Sequence, residues 1–220
     1  GSDRQEIKFK DFANKKYLDD VLTDIKFSNV AWNDDKGVFY KKNSNKEFFA
    51  KDSTYQLYYH KIGDIQSKDQ LVFDTSNTKS NFSFFTKQNK LFIVETSEDE
   101  TTKNYYYSTI ENESFQFKNF IKDDKSNLEL LNIINDKFYF SDEKYSWGNI
   151  SYFDINNRTE NTILIPQVYS HLLVGATFLE NYIICKYDNM GKYYMSIHDY
   201  TGKFIRKFEA PHNMDFQIRF

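Results

Sequence analysis

The sequence predicts an all-β protein made of β-propeller blades, and three observations carry that prediction. Aromatic residues are abundant, with 22 Phe, 17 Tyr and 2 Trp against only 7 Gly and 2 Pro, a composition that favours half-buried pleated surfaces. Short apolar stretches show the two-residue alternation of β-strands and end at turn residues. These stretches group in fours, and the groups repeat along the chain at the spacing of propeller blades.

The first predicted blade covers residues 25–75. Its first strand is Ile25–Trp32, which begins with alternating apolar and polar residues. A turn at Asn33–Gly37 follows, where the glycine can adopt a positive φ. The remaining predicted strands are Val38–Tyr40, Gln56–Ile62 and Gln70–Phe73.

Three more blades repeat this order, and we predict them over residues 82–122, 128–166 and 172–210. The second strands of the four blades are offset from one another by 53, 47 and 44 residues. They begin at Val38, Leu91, Phe138 and Tyr182. In the second blade, Phe115–Phe117 is the predicted fourth strand. Because whole units repeat, a propeller is favoured over a β-sandwich, which is the main alternative.

Both ends of the sequence fall inside a blade in this interpretation. Residues 1–22 are predicted to end a preceding blade, with a late strand at Gln5–Phe9. Residues 213–220 are predicted to start a following blade, with its first strand at Asp215–Phe220. We therefore expect residues 1–220 to be part of a larger propeller domain.

Charge and hydropathy argue against two classes of partner. The formal net charge is −3, from 29 basic and 32 acidic residues, and the lysines are interspersed with acids. The sequence has no basic stripe that could neutralise nucleic-acid phosphates. It has no apolar run near the roughly 18 residues that span a bilayer, and no signal peptide opens it. We expect no nucleic-acid or membrane partner, and a cytoplasmic protein with the periplasm as the alternative.

Residues with catalytic or metal-binding chemistry are scattered. No glycine stands two residues before a serine, so the chain lacks the Gly-x-Ser-x-Gly elbow of an α/β-hydrolase nucleophile. The single cysteine, Cys185, lies in an apolar stretch and is predicted to be a small buried hydrophobe. His60 and His198 are predicted to be hydrogen-bonded structural residues, and Asp19 and Asp20 to be surface charge. We expect neither a metal nor a cofactor.

One line, Tyr58–Phe73, carries the most specific pattern in the chain. Its distinctive residues are Tyr59-His60, Ile62-Gly63, Gln66-Ser67-Lys68-Asp69 and Leu71. This pattern resembles the propeller domain of the prolyl oligopeptidase (prolyl endopeptidase) family of serine peptidases. Shorter matches precede it, at Gly1-Ser2-Asp3, Leu18–Leu22, Lys26-Phe27-Ser28, Ala31-Trp32 and Gly37–Tyr40. From residue 76 to 209 the resemblance is to the rhythm of the blades.

The resemblance implies a function for the chain. Members of the family pair a seven-bladed propeller with an α/β-hydrolase peptidase domain, and the propeller admits only short peptides, which are cut after proline. This chain would be a non-catalytic part of such a propeller, with the catalytic domain of the parent chain and short peptides as partners. Residues 14–29 would form a mobile loop near the domain interface, which makes Asp19 and Asp20 candidate gating residues.

Val72 is the third candidate gating residue, because some family members carry a cysteine at this position, close to the peptidase pocket. A role as an ordinary strand residue is the alternative for Val72. Two other functions stay open for the whole chain. One is a free-standing propeller-like module that binds other proteins, and the other is a sibling oligopeptidase with a different cleavage preference.

Overall fold

The computed structural model describes residues 5–25, 28–43, 55–111, 113–124, 128–142, 144–211 and 214. Within these ranges the regular structure consists of antiparallel β-strands and one short 3₁₀ turn at Gln66–Lys68. The chain divides into two compact units, Gly1–Lys125 and Ser126–Phe220. We call them the N-terminal and C-terminal units and describe each by itself.

The N-terminal unit contains a two-stranded hairpin and two four-stranded sheets. The hairpin consists of β1 (Gln5–Lys10) and β2 (Tyr17–Ile25). The first sheet consists of β3 (Val30–Asn33), β4 (Gly37–Asn43), β5 (Tyr55–Lys61) and β6 (Gln70–Asp74). The second sheet consists of β7 (Asn81–Lys87), β8 (Lys90–Thr96), β9 (Lys103–Thr109) and β10 (Lys118–Asp124).

The C-terminal unit contains two more four-stranded sheets. The third sheet consists of β11 (Leu128–Ile134), β12 (Lys137–Asp142), β13 (Ile150–Asp154) and β14 (Asn157–Ile165). The fourth sheet consists of β15 (Leu172–Phe178), β16 (Ile183–Asn189), β17 (Lys192–His198) and β18 (Phe204–Glu209). In all four sheets, consecutive strands are neighbours and run antiparallel, so the predicted four-stranded units are confirmed.

Three local predictions were wrong. Residues 115–117 are not a strand, because the fourth strand of the second sheet is Lys118–Asp124, an edge strand with few apolar residues. Ile25 ends β2 instead of starting the first sheet, whose first strand is only Val30–Asn33. Most of the described residues in the implied loop at 14–29 belong to β2. The predicted strand at Asp215–Phe220 lies outside the described residues, and the predicted domain and blade limits stay predictions.

The second strand is buried on both faces in three of the sheets. Three consecutive residues in each of β4, β8 and β12, nine in all, are at most 2% exposed. They are Val38, Phe39, Tyr40, Leu91, Phe92, Ile93, Phe138, Tyr139 and Phe140. A strand covered on both sides has no polar face to alternate with, so it reads as a continuous apolar run. Full burial of each such side chain stabilises the fold by about 1.5–3 kcal/mol.

The apolar residues of β4 connect three layers of the N-terminal unit. Phe39 belongs to a cluster that the first sheet shares with Phe82 and Phe84 of the second sheet. Val38 and Tyr40 point the other way, into a cluster that contains Phe9, Leu22 and Ile25 of the hairpin. Successive side chains of a strand face opposite sides, so one strand anchors both neighbours of the first sheet.

Cys185 lies in the corresponding apolar cluster of the C-terminal unit. The cluster joins residues of the third sheet, such as Tyr139 and Ile150, to Ile183 and Cys185 of the fourth. Cys185 is a free thiol with no exposed surface. The prediction of a small buried hydrophobe is confirmed.

Burial raises the pKa of Cys185 to about 12, so the reactive thiolate is scarce at neutral pH. We expect iodoacetamide at about pH 8 to leave Cys185 unmodified in native protein and to alkylate it in urea. Mass spectrometry of the tryptic peptides measures the modification, and the Cys185→Ser variant identifies the peptide. Because folding raises this pKa, the thiol stabilises the protein below about pH 9 and loses that contribution as the pH rises towards 12. Rapid alkylation of native protein would contradict this prediction.

Two glycines with the same backbone angle offer a matched test of packing in the C-terminal unit. Gly202 has φ +85°, and a Cβ there would lie 2.1 Å from the Leu164 carbonyl oxygen. Gly191 has φ +83° and no atom within 4 Å of such a Cβ. We expect Gly191→Ala to cost about 1 kcal/mol through backbone strain alone. Gly202→Ala should cost about 2 kcal/mol more, because β14 must move. Urea unfolding measures both, and equal costs would show that the contact is easily relieved.

Candidate functional site

The three candidate gating residues lie in different surroundings. Asp19 is exposed on β2, as predicted for surface charge. Asp20, its neighbour on the same strand, is only 8% exposed, so the prediction of surface charge is wrong for this residue. Val72 is half-buried on β6 and packs against the cluster between the first and second sheets. The structure therefore brings Asp19 and Asp20 together on one strand and leaves Val72 in an apolar setting.

A surface cleft lies beside Asp19 and Asp20. It has a volume of about 590 Å³ and is lined by two segments, residues 17–21 of β2 and residues 62–66, which follow β5. Tyr17 and Ile65 expose 70% and 64% of their surface at this cleft, and Asp64 adds a second carboxylate to that of Asp19. Val72 is not among the residues that line the cleft. Acidic and apolar side chains thus lie side by side at the cleft.

The floor of this region is a buried cluster of two carboxylates around one imidazole. His60 is 1% exposed, and its Nε2 lies 3.1 Å from Asp20 Oδ1 while its Nδ1 lies 2.7 Å from Asp69 Oδ1. The imidazole can donate to both carboxylates at once only in its doubly protonated form. Phe9 stacks on the ring at 5.7 Å between centroids and shields it from water. The prediction of a hydrogen-bonded structural His60 is confirmed.

The second part of the cluster reaches the backbone of β2. Gln66 accepts a hydrogen bond from the Thr23 N–H through Oε1 at 3.0 Å and donates one to the Thr23 carbonyl through Nε2, also at 3.0 Å. Asp20 Oδ1 accepts a further bond from the Gly63 N–H at 2.6 Å. Three residues of the specific Tyr58–Phe73 pattern, His60, Gly63 and Gln66, thus form hydrogen bonds with one strand, β2.

Both ring nitrogens of His60 are occupied within this cluster. A histidine needs a free nitrogen to act as a general base, and those of His60 are taken by Asp20 and Asp69. The two nitrogens face opposite ways, so Asp20 and Asp69 do not converge on a point where a metal could bind. Within the described ranges, no group of three His, Cys, Asp or Glu side chains could hold a metal ion. The arrangement fits a role in holding β2 rather than in chemistry.

Another buried carboxylate, Glu95, lies in the second sheet, and both of its oxygens accept hydrogen bonds. Its Oε1 accepts hydrogen bonds from Ser80 and from Thr78, the latter at 3.2 Å. Its Oε2 accepts a bond from the Tyr106 hydroxyl at 2.9 Å. Three hydroxyl donors offset the cost of burying the carboxylate. Glu95 thus ties the turn before β7 to β8 and β9.

The fourth sheet contains a serine–histidine pair. Ser196 Oγ lies 2.8 Å from His198 Nε2, and His198 Nδ1 lies 3.2 Å from the Gly202 carbonyl oxygen. Ser196 and His198 are 5% and 9% exposed, so a substrate cannot reach the hydroxyl. His198 is a hydrogen-bonded structural residue, as predicted.

The part of the chain that the structure describes includes no helix long and apolar enough to cross a membrane.

We predict that His60→Ala destabilises the protein by about 3–5 kcal/mol, because it leaves the buried carboxylates of Asp20 and Asp69 without their shared partner. His171→Ala is the control, since His171 is half-buried and makes one hydrogen bond, to the Tyr194 hydroxyl at 2.7 Å. The control should cost about 1 kcal/mol. Urea unfolding of both variants measures the difference. Similar costs for the two histidines would contradict the role of His60 as the shared partner of the two carboxylates.

Comparison with known proteins identifies the family of this fold. The sequence matches the family "Prolyl oligopeptidase, N-terminal beta-propeller domain" over residues 1–217. The prolyl endopeptidase of Elizabethkingia meningoseptica is 25% identical over 223 residues, which cover 96% of this chain and 31% of that protein. The chain thus spans about a third of the length of the curated relatives it matches.

Solved structures agree with this match at the level of the fold. A prolyl endopeptidase studied for inter-domain dynamics in catalysis and specificity has a TM-score of 0.77 and 21% identity, covering 96% of this chain and 31% of that one. Prolyl oligopeptidase B from Galerina marginata, bound to a 35mer substrate, has a TM-score of 0.77 and 15% identity, covering 94% and 32%. The predicted β-propeller fold is confirmed. Because the family match covers nearly the whole sequence, the chain belongs to the prolyl oligopeptidase N-terminal β-propeller family.

Proposed function

We propose that this chain is the non-catalytic propeller portion of a prolyl oligopeptidase-type serine endopeptidase and gates the access of short proline-containing peptides to a catalytic α/β-hydrolase domain. The observation that carries the proposal is the family match over residues 1–217, together with curated prolyl endopeptidases of which the chain covers 31% or so. The remaining length of such a protein has room for the peptidase domain.

The sequence supports a division of labour between the two domains. It has no Gly-x-Ser-x-Gly elbow, and the serine–histidine pair at Ser196 and His198 is buried. The nucleophile, the acid and the catalytic histidine are therefore assigned to the α/β-hydrolase domain. The propeller contributes the walls that a peptide must pass, and these walls act on the rate of entry rather than on bond cleavage.

Asp19 and the cleft beside it are the part of this chain that we assign to gating. Asp19 is exposed and lines a cleft whose rim includes the apolar side chains of Tyr17 and Ile65. An exposed carboxylate alters the rate at which charged ligands approach more than it alters their final affinity. Asp20 helps to hold this strand in place through its buried side chain. Val72 is assigned to gating only because of the position it occupies in the family pattern.

The first experiment tests the peptidase assignment with the full-length protein that carries this chain. We expect hydrolysis of a chromogenic Gly-Pro substrate, and a fall in kcat/KM of about tenfold or more as peptides with one proline lengthen from about 10 to about 45 residues. The series must extend beyond 35 residues, because the Galerina marginata protein is bound to a substrate of that length. Absence of hydrolysis would overturn the proposal and favour a free-standing protein-binding module.

A second experiment tests the role of Asp19. We expect Asp19→Ala to change the ratio of kcat/KM between a long and a short cationic peptide by about two- to fivefold, while kcat for the small chromogenic substrate is unchanged. Glu98→Ala is the matched control, because Glu98 is an exposed acid of the same unit and does not line the cleft. Equal ratios in the two variants would remove Asp19 from the gate.

A further inference from the structure

The backbone pairing between the two strands of the hairpin that carries Asp19 is irregular. The pairing of β1 with β2 shifts register between Gln5 and Ile7 and again between Lys8 and Lys10. Asp24, near the end of β2, has a positive φ of 57°. Burial of one face of a strand excludes a slip by one residue, but a slip by two residues keeps the same face buried. Contacts from outside the hairpin can therefore add what is needed to exclude a two-residue slip of β2.

The side-chain amide of Gln66 supplies one external constraint. It pairs with both backbone groups of Thr23 at 3.0 Å, in the way that a peptide group of a neighbouring strand would. Gln66 Oε1 also accepts a bond from the Thr23 hydroxyl at 3.2 Å. Because donor and acceptor must both find their partners, this pairing selects one residue of β2 and rejects its neighbours.

The carboxylate of Asp20 supplies a second constraint, three residues before Thr23. It enters the buried site formed by His60 Nε2 at 3.1 Å and the Gly63 N–H at 2.6 Å. A slip of β2 by two residues would place Leu18 or Leu22 opposite the imidazole and leave His60 Nε2 without a hydrogen-bond partner. That outcome is strongly unfavourable in a site where His60 is 1% exposed.

The Tyr40 hydroxyl joins the two constraints into one network. It donates to Asp69 Oδ2 at 2.7 Å and accepts a bond from Gln66 Nε2 at 3.2 Å. Asp69 in turn binds His60 Nδ1 at 2.7 Å. Burial raises the pKa of the Tyr40 phenol, which keeps it protonated as a donor. The chain of contacts therefore runs without a break from Asp20 to Thr23.

We propose that Gln66, Tyr40, Asp69 and His60 form a clasp that positions β2 in a single register and so fixes Asp19 at the cleft. These four are positioning residues, because they act on the gate through β2 rather than by touching a peptide. The functional half of this inference rests on the gating role proposed above, whereas the structural half does not. It also gives a physical reason for the spacing within the Tyr58–Phe73 line, since His60, Gly63, Gln66 and Asp69 all contact β2 or the clasp.

Hydrogen exchange in the full-length protein tests the clasp. We expect Gln66→Met and Tyr40→Phe each to raise the exchange rates of amides in β2 by about tenfold. Gln56→Met and Tyr58→Phe are the matched controls. Gln56 and Tyr58 bond each other at 3.0 Å in the first sheet, and Tyr58→Phe keeps the ring that stacks on Tyr40 and packs against the hairpin cluster. The controls therefore remove the same groups, but from a hydrogen bond that lies outside the clasp.

Tyr40→Phe is the decisive variant, because it keeps the ring that packs against Leu22 and Ile25 of β2 and removes only the hydroxyl, which bonds Asp69 and Gln66. If Tyr40→Phe and Tyr58→Phe leave β2 equally protected, the clasp is overturned. Gln66 is only half-buried, so Gln66→Met keeps the test available if Tyr40→Phe does not fold. The same variants are assayed for the ratio of kcat/KM between long and short peptides, which we expect to shift by about two- to fivefold, as for Asp19→Ala. Faster exchange in β2 with an unchanged ratio would support the clasp and overturn the gate.

Discussion

The fold depends on the burial of strands that are apolar on both faces. Val38, Phe39 and Tyr40 of β4 have almost no exposed surface, and the same holds for the second strands of the second and third sheets. A sheet built around such a strand cannot be stable alone, because one face would remain in water. In the N-terminal unit the hairpin covers one face of the first sheet and the second sheet covers the other. Each sheet therefore needs neighbouring sheets in order to be stable, and this explains why the sheets repeat along the sequence.

The sequence was a good guide to the fold wherever strands are buried. Runs such as Leu91–Val94 and Phe138–Phe140 contain enough apolar residues to mark the central strands, and their spacing revealed the repeat. It was a poor guide at sheet edges. β10, Lys118–Asp124, has few apolar side chains, so the short alternating stretch Phe115–Phe117 looked more like a strand. Those two phenylalanines pack against the core from a connecting segment, and burial alone does not reveal backbone pairing.

The candidate site was predictable only in part. The residue pattern of Tyr58–Phe73 is the most specific in the sequence, and the prediction of a structural His60 is confirmed. Its partner Asp20 lies 40 positions away in sequence, and an adjacent pair of acids gives no sign of which one is buried. The pairing of Gln66 with Thr23 spans 43 positions and left no signal in periodicity or composition. A side chain that hydrogen-bonds in place of a backbone partner does not change the alternation of apolar and polar residues, so hydrophobic periodicity does not reveal it.

The amide of Gln66 also has a consequence for how this protein meets other chains. Thr23 lies on β2, which pairs only with β1 among the described strands, and the unpaired backbone groups of such an edge can recruit a strand from another molecule. A glutamine side chain occupies both groups of Thr23 but offers no further backbone of its own, so the ladder ends there. The residue that locates β2 thereby also blunts one sheet edge against unwanted self-association, and it does so without a charge, a proline or an added strand.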